Sequence, residues 1–182
     1  MKTKTVKIGN ITIGGGSRIA VQSMTNIPAH NTAAVTEQIN RLAEAGCDIV
    51  RFAVPDRETA ENVDKIVGAV SVPLVADIHF DYRLALMCIE RGISKIRINP
   101  GNIGGEDRAA AVAKAAKAKG IPIRIGVNGG SLEKGLLEKC GGNLAMAMVE
   151  SAKRHIEILN RYDFDDIVLS MKSSDVRTTI AA

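Results

Sequence analysis

A single unit repeats along this chain: a short β-branched or aliphatic run, then turn residues, then a helical stretch. The runs are Ile19–Gln22, Ile49–Phe52, Pro73–Asp77, Lys95–Ile98, Pro122–Val127 and Asp166–Ser170. Helices are predicted near Thr32–Ala45, Glu58–Val67, Tyr82–Glu90, Arg108–Lys119 and Leu144–Asn160, with another beginning at Ser174. Thr32 and Asp81 suit N-cap positions, where a side-chain oxygen accepts an orphan amide. Gly46, Gly92 and Gly120 stand where helices should stop, because the residue after a helix often turns left-handed. Strands alternating with helices imply a parallel sheet with right-handed crossovers. Ahead of the first unit, VKIGNITIGGG reads as a hairpin turning at Gly9-Asn10.

Two architectures share this pattern, an open doubly wound sheet and a (β/α)8 TIM-type barrel. Period-two alternation separates them. Central strands of an open parallel sheet are apolar on both faces, whereas barrel strands turn one parity to the helices and the other to the lumen. Here Val50 and Phe52 oppose Arg51, and Ala76 and Ile78 oppose Asp77 and His79. Ile96 and Ile98 oppose Arg97 and Asn99, and Ile123 and Ile125 oppose Arg124 and Asn128. Ile167 and Leu169 oppose Ser170 and Lys172, and Val21 opposes Gln22. The polar parity gathers at the C-terminal ends of the runs, which is where a barrel builds its active site. Gly14-Gly15-Gly16 precedes a strand and not a helix, so it is no dinucleotide fingerprint. A complete barrel has eight units and about 250 residues. Six are expected in these 182 residues, so the chain reads as the front part of a barrel, preceded by a hairpin.

The formal charge of +4 raises the question of nucleic acid, but the basic residues alternate with acidic ones and aromatics are only 3%. That is a solvated mixed surface without stacking platforms. No apolar run has the length of a membrane span or a signal peptide, and a cytoplasmic location is expected. Cys47, Cys88 and Cys140 are odd in number and form no CxxC, which argues against a disulfide framework or a zinc site.

If the strands line one mouth, Arg51, Arg97, Arg124 and Lys172 converge there, with Asp77 to offset only one of them. Buried like charges repel unless something neutralises them. The missing partner should be a multiply charged anion, and guanidinium forks match phosphate oxygens. A phosphorylated or diphosphorylated small molecule is the expected ligand. Asp77 and His79, one parity step apart, suit an acid/base pair or hydrogen bonds to ligand hydroxyls. Pro100-Gly101-Asn102 would then form a rigid loop over the site, and Asn128 with Gly129-Gly130-Ser131 a second polar loop or an ordinary turn. His30 and His155 are isolated and read as surface or structural residues.

Seven segments in order carry a family resemblance: VQSMTN (21–26), VRFAVP (50–55), ADIHFD (76–81), KIRINPGNIG (95–104), RIGVNGGSLE (124–133), ESAKRHIEIL (150–159) and YDFDDIVLSMKSSDV (162–176). Together they resemble the N-terminal barrel of the 4-hydroxy-3-methylbut-2-enyl diphosphate synthases, iron–sulfur enzymes of the methylerythritol phosphate route to isoprenoids. The resemblance implies reductive opening of 2-C-methyl-D-erythritol 2,4-cyclodiphosphate, with ferredoxin or flavodoxin as electron donor through a [4Fe–4S] cluster. By motif position it implies that Arg51, Arg97, Arg124 and Lys172 hold phosphate oxygens and that Asp77, His79, Asn99 and Asn128 meet the rest of the substrate. It also implies a homodimer in which one subunit's cluster domain caps the other's barrel. In the family three cysteines and a glutamate of a separate C-terminal domain hold the cluster. No spacing here matches them, so residues 1–182 read as the substrate-binding barrel portion, without the iron–sulfur domain and without metal ligands. The alternatives are a barrel of the dihydropteroate synthase type, or a non-catalytic anion-binding fragment.

Overall fold

The hairpin forms as expected. β1 (Val6–Ile8) and β2 (Ile11–Ile13) pair antiparallel, with Val6 opposite Ile13 and Ile8 opposite Ile11. Gly9 makes the turn at a φ of +57°, a conformation that costs a residue without a Cβ little. This architecture is that of a computed structural model, which describes residues 3–99, 103 and 105–182.

Six parallel strands follow: β3 (Gln22–Met24), β4 (Ile49–Ala53), β5 (Leu74–Asp77), β6 (Lys95–Ile98), β7 (Ile123–Asn128) and β8 (Ile167–Lys172). They pair in simple chain order, β3-β4-β5-β6-β7-β8, and the sheet curls into a half-barrel. The helices are α1 (Thr32–Glu44), α2 (Arg57–Glu61), α3 (Val63–Gly68), α4 (Tyr82–Glu90), α5 (Glu106–Lys119), α6 (Leu136–Lys139), α7 (Leu144–Asn160) and α8 (Val176–Ala181).

The helix-facing parity of the strands makes the main core. Val50, Phe52, Ala76, Ile96, Ile98, Ile123 and Ile125 pack with Val35 and Ile39 of α1, Ile89 of α4, Val112 and Ala116 of α5, and Met148 of α7. Each such aliphatic side chain contributes about 1.5–3 kcal/mol on burial. The buried residues of α5 other than Val112 are all alanines, Ala109, Ala110, Ala113 and Ala116. Such small side chains let a helix lie close on the sheet. A second cluster lies on the other face: Ile8 of the hairpin packs on Ile49 and Val75, with Ile11, Ile13 and Ala20 around them. The hairpin thus plugs the lumen at the N-terminal ends of β4 and β5 and gives it an apolar floor.

Four segments differ from what the sequence predicts. The first strand is not Ile19–Gln22 but starts at Gln22; Ile19 is almost fully exposed and Val21 more than half so. The β-branched run there is held by Asp48, which binds Arg18 and accepts a hydrogen bond from the Val21 amide. The helix expected over Glu58–Val67 breaks at Asn62 into α2 and α3. Asn31, not Thr32, caps α1, accepting from the Ala34 amide at 3.2 Å. The helix expected from Ser174 starts at Val176 behind an Asp175 cap. Asp81 caps α4 as expected, while the Pro100-Gly101-Asn102 loop lies outside the described residues.

Candidate anion-binding site

Residues in register on neighbouring parallel strands share a face. Arg97 is in register with Asp77 on one side and with Arg124 on the other. Arg51 is in register with Val75, and Val75 with Lys95. The lumen therefore carries two stacked layers, Arg51–Val75–Lys95 below and Asp77–Arg97–Arg124 above, over the apolar floor.

Asp77 is the centre of the upper layer. It is 1% exposed. Its Oδ2 forms an ion pair with Nη2 of Arg51 at 2.8 Å, and its Oδ1 accepts from Nη1 of Arg97 at 3.3 Å. One buried carboxylate thus holds two guanidiniums. His79 stands above it, half-exposed, with Nε2 3.5 Å from Oδ2 of Asp77 and Nδ1 3.4 Å from Nη1 of Arg97. Arg124 reaches the other way and donates from Nη2 to Oγ of Ser170 at 2.6 Å. Burial and the nearby Arg51 and Arg97 guanidiniums lower its pKa.

Lys95, which the sequence does not single out as a site residue, belongs to this group. Its ammonium is buried, donates to Oε1 of Gln22 at 3.2 Å, and has no carboxylate within ion-pair distance among the described residues. Burial first, then Arg124 and Arg51, push its pKa down to about 8. The signal was present: Lys95 has the parity of Arg97 and Asn99. It stands at the start of its strand, where a lysine reads as solvated. Among the described residues the lumen then holds four cations, Arg51, Lys95, Arg97 and Arg124, against the single carboxylate of Asp77. Nε of Arg51 is buried without an acceptor. Such an excess in a partly desolvated space is costly until an anion enters.

The remaining expected residues sit at the rim. Asn128 and Lys172 face each other in register at the ends of β7 and β8, both exposed, one step above the Gly126–Ser170 pair. Asn99 follows the last residue of β6 and is half-buried. His30 is exposed, and His155 is buried on α7 with Nε2 3.5 Å from Glu133. The cysteines lie apart from the site. Cys88 is buried in α4, its thiol pushed up to about 12 by desolvation, and Cys47 is buried just before β4. Cys140 is half-buried at the end of α6. Among the described residues no three His, Cys, Asp or Glu side chains lie together so as to hold a metal ion. The residues present therefore do not fit an iron–sulfur cluster.

Residues 3–182 match the family described as the GcpE TIM-barrel domain. The chain belongs to that family. Its relatives include the 4-hydroxy-3-methylbut-2-en-1-yl diphosphate synthases (flavodoxin) of Bacillus subtilis, 58% identical over 181 residues, and of Anoxybacillus flavithermus, 56% identical over 181 residues. Each match takes in 100% of this chain but only 48% and 50% of those proteins. This GcpE barrel thus spans about half the length of the curated relatives it matches. Among solved structures it resembles the dihydropteroate synthases of Vibrio fischeri (TM-score 0.63, 12% identity, 92% of this chain and 66% of that one) and Thermus thermophilus (TM-score 0.63, 14% identity, 98% and 70%). At that identity the likeness is one of fold alone. No described helix is long and apolar enough to cross a membrane.

Proposed function

We propose that this GcpE barrel grips the diphosphate of 2-C-methyl-D-erythritol 2,4-cyclodiphosphate while the ring is reductively opened to 4-hydroxy-3-methylbut-2-enyl diphosphate. The observation that carries this is the excess of buried cations around Asp77, in a chain 56–58% identical to synthases of that name. Arg51, Arg97 and Arg124 present guanidinium forks to phosphate oxygens, and Lys172 closes on them from the rim. Asp77 orients Arg51 and Arg97 before the anion arrives, so little ordering cost remains at binding. Asn99 and Asn128 hydrogen-bond the carbon skeleton's oxygens. His79, steered by Asp77, is the exposed group able to hold or give a proton at a substrate hydroxyl.

A [4Fe–4S] cluster on a separate domain would supply the electrons, with flavodoxin, the word the relatives' names carry, as their source. The described residues of this chain offer no group of side chains to hold that cluster. Their part is to bind, orient and shield the diphosphate. The working protein is a cytoplasmic homodimer.

Calorimetric titration with the cyclodiphosphate tests the reading. Arg97→Ala should weaken binding by about 1.5–3 kcal/mol, the range of a charge-assisted hydrogen bond. Arg97→Lys should weaken it too, because a point charge cannot reproduce the fork. Equal affinity in all three proteins, or preference for a pterin pyrophosphate ester, would overturn it.

A further inference from the structure

The loop that leaves β7 at the barrel mouth is held from the helix side. Asn128 ends β7, and a single 3-10 turn, Gly129–Ser131, follows at once. The turn lies close on α7: a Cβ on Gly129 would stand 3.3 Å from Cδ2 of Leu144 and 3.4 Å from Sδ of Met148. Leu132 packs on the main core. Next comes Glu133, whose carbonyl accepts the Leu136 amide at the start of α6. Its carboxylate turns to His155, with Oε1 3.5 Å from Nε2. His155 is 2% exposed and continues the buried stripe of α7 that runs through Met148, Ser151 and Ala152.

Two titratable side chains held together in the packing of a helix need a reason. Nδ1 of His155 and Oε1 of Glu133 are both buried with no hydrogen-bond partner among the described residues. Burial lowers the pKa of the imidazole, with Glu133 pulling the other way and Arg154 adding to the fall. The ring is therefore neutral at pH 7. With Nδ1 unpartnered, its one N–H belongs at Nε2, facing the carboxylate. Two apolar side chains would fill this place without the desolvation cost. What a polar pair adds is direction, because it is satisfied in one relative placement of loop and helix. Both residues lie in segments that carry the family resemblance, RIGVNGGSLE and ESAKRHIEIL. Among the described residues neither is paired with a lumen cation.

We propose that Glu133 and His155 are a positioning pair, which sets the course of the loop leaving β7 and so aims Asn128 into the barrel mouth. This rests on the reading above, in which Asn128 hydrogen-bonds oxygens of the substrate's carbon skeleton. The pair acts through Asn128 and touches no substrate itself. Without it the loop keeps its apolar contacts at Gly129 and Leu132 but loses the contact that fixes its direction.

Calorimetry of the full chain with two anions tests this. Pyrophosphate has phosphoryl groups for the lumen cations but no carbon skeleton for Asn128, whereas the cyclodiphosphate has both. Glu133→Leu should leave pyrophosphate affinity unchanged and weaken the cyclodiphosphate by about two- to tenfold, the worth of one neutral hydrogen bond. Asn128→Ala should do the same, and the double variant should lose no more than either alone. Glu133→Gln, which still offers His155 an acceptor, should restore most of the affinity. A merely structural role would weaken both anions together, and that result overturns the proposal. So does undiminished cyclodiphosphate affinity in Glu133→Leu, or a double variant whose losses multiply. A parent chain that binds pyrophosphate but ignores the cyclodiphosphate would refute the substrate reading instead. Amide hydrogen exchange over residues 129–133 then judges the pair: faster exchange in Glu133→Leu, restored in Glu133→Gln, keeps it as the loop's anchor, and unchanged exchange overturns it.

Discussion

Gly126 has no side chain because Arg97 fills the place where one would be. A Cβ on Gly126 would lie 2.8 Å from both Nε and Nη2 of Arg97, closer than van der Waals contact permits. The guanidinium turns its Nε–Nη2 edge to the β7 backbone there, while its Nη1 meets Asp77. Gly126→Ala should push Arg97 out of that position. The guanidinium is the far end of a flexible side chain, so the fold should lose little. Diphosphate binding should fall nearly as far as in Arg97→Ala, by about 1.5–3 kcal/mol. Calorimetry with pyrophosphate, beside a urea denaturation curve, checks both halves; unchanged affinity would mean that Arg97 binds nothing.

Among the described residues Asp77 is the one carboxylate paired with the lumen cations, and its loss should be felt in the fold itself. Removing one partner of a buried ion pair typically costs about 3–5 kcal/mol, because the other charge is left buried and uncompensated. Asp77→Ala leaves two such charges, Arg51 and Arg97. Urea denaturation should report a loss of about that size. Added pyrophosphate should recover more stability in the variant than in the unaltered protein, since it replaces the missing charge. A variant as stable as its parent would mean that the two guanidiniums are solvated enough to need no partner.

Much of this site was legible in the chain because a strand's period of two is rigid. Arg51, Asp77, Arg97 and Arg124 could be placed on one face from their spacing to Phe52, Ala76, Ile98 and Ile125 alone, and the structure brings them together. What escaped was set by contacts between elements distant in sequence. Lys95 looks like a strand-start surface residue until the hairpin's Ile8 is seen to plug that end of the lumen. The bareness of Gly126 acquires meaning only once Arg97 of the neighbouring strand lies across it. Ile19–Val21 has good β-forming residues, yet Asp48 draws the segment off and the strand begins later. The break at Asn62 and the short helix α6 carry no proline or periodicity to announce them.

Lys95 also makes stability depend on pH in an unusual direction. Its folded pKa of about 8 lies below its ordinary value of 10.5. Between those limits the unfolded chain holds a proton that the folded one has released. Unfolding then takes up protons, so the lysine's destabilising effect, full below about pH 8, fades as pH rises toward about 10.5. The gain should approach about 3 kcal/mol, at 1.36 kcal/mol per unit. Urea midpoints across this range, compared between the parent and Lys95→Met, isolate the effect. The parent should gain on the variant as pH rises, and parallel curves would place the lysine in water.

Among the described residues β3 pairs only with β4 and β8 only with β7, so the half-barrel has two sheet edges. Apolar side chains stand exposed along them: Val21 before β3 is 55% exposed, Met24 in β3 40% and Leu169 in β8 46%. An edge strand offers a row of unpaired amides and carbonyls to any other chain, and natural proteins guard such edges with charges, bulges or covering elements. Here Lys172 at the far end of β8 is the only charge on that strand, and β3, Gln22-Ser23-Met24, carries none. The 182-residue polypeptide should therefore self-associate through these edges, whatever larger protein it serves in. Light scattering should report a mass above the 19.3 kDa of one chain, rising with concentration. Val21→Lys, which puts a charge on the exposed β3 edge at a side chain that lines no space with Lys95 and Arg124, should shift the distribution toward monomer. A monodisperse monomer at high concentration would show that the exposed edges are protected by something other than pairing, such as the twist of the curled sheet.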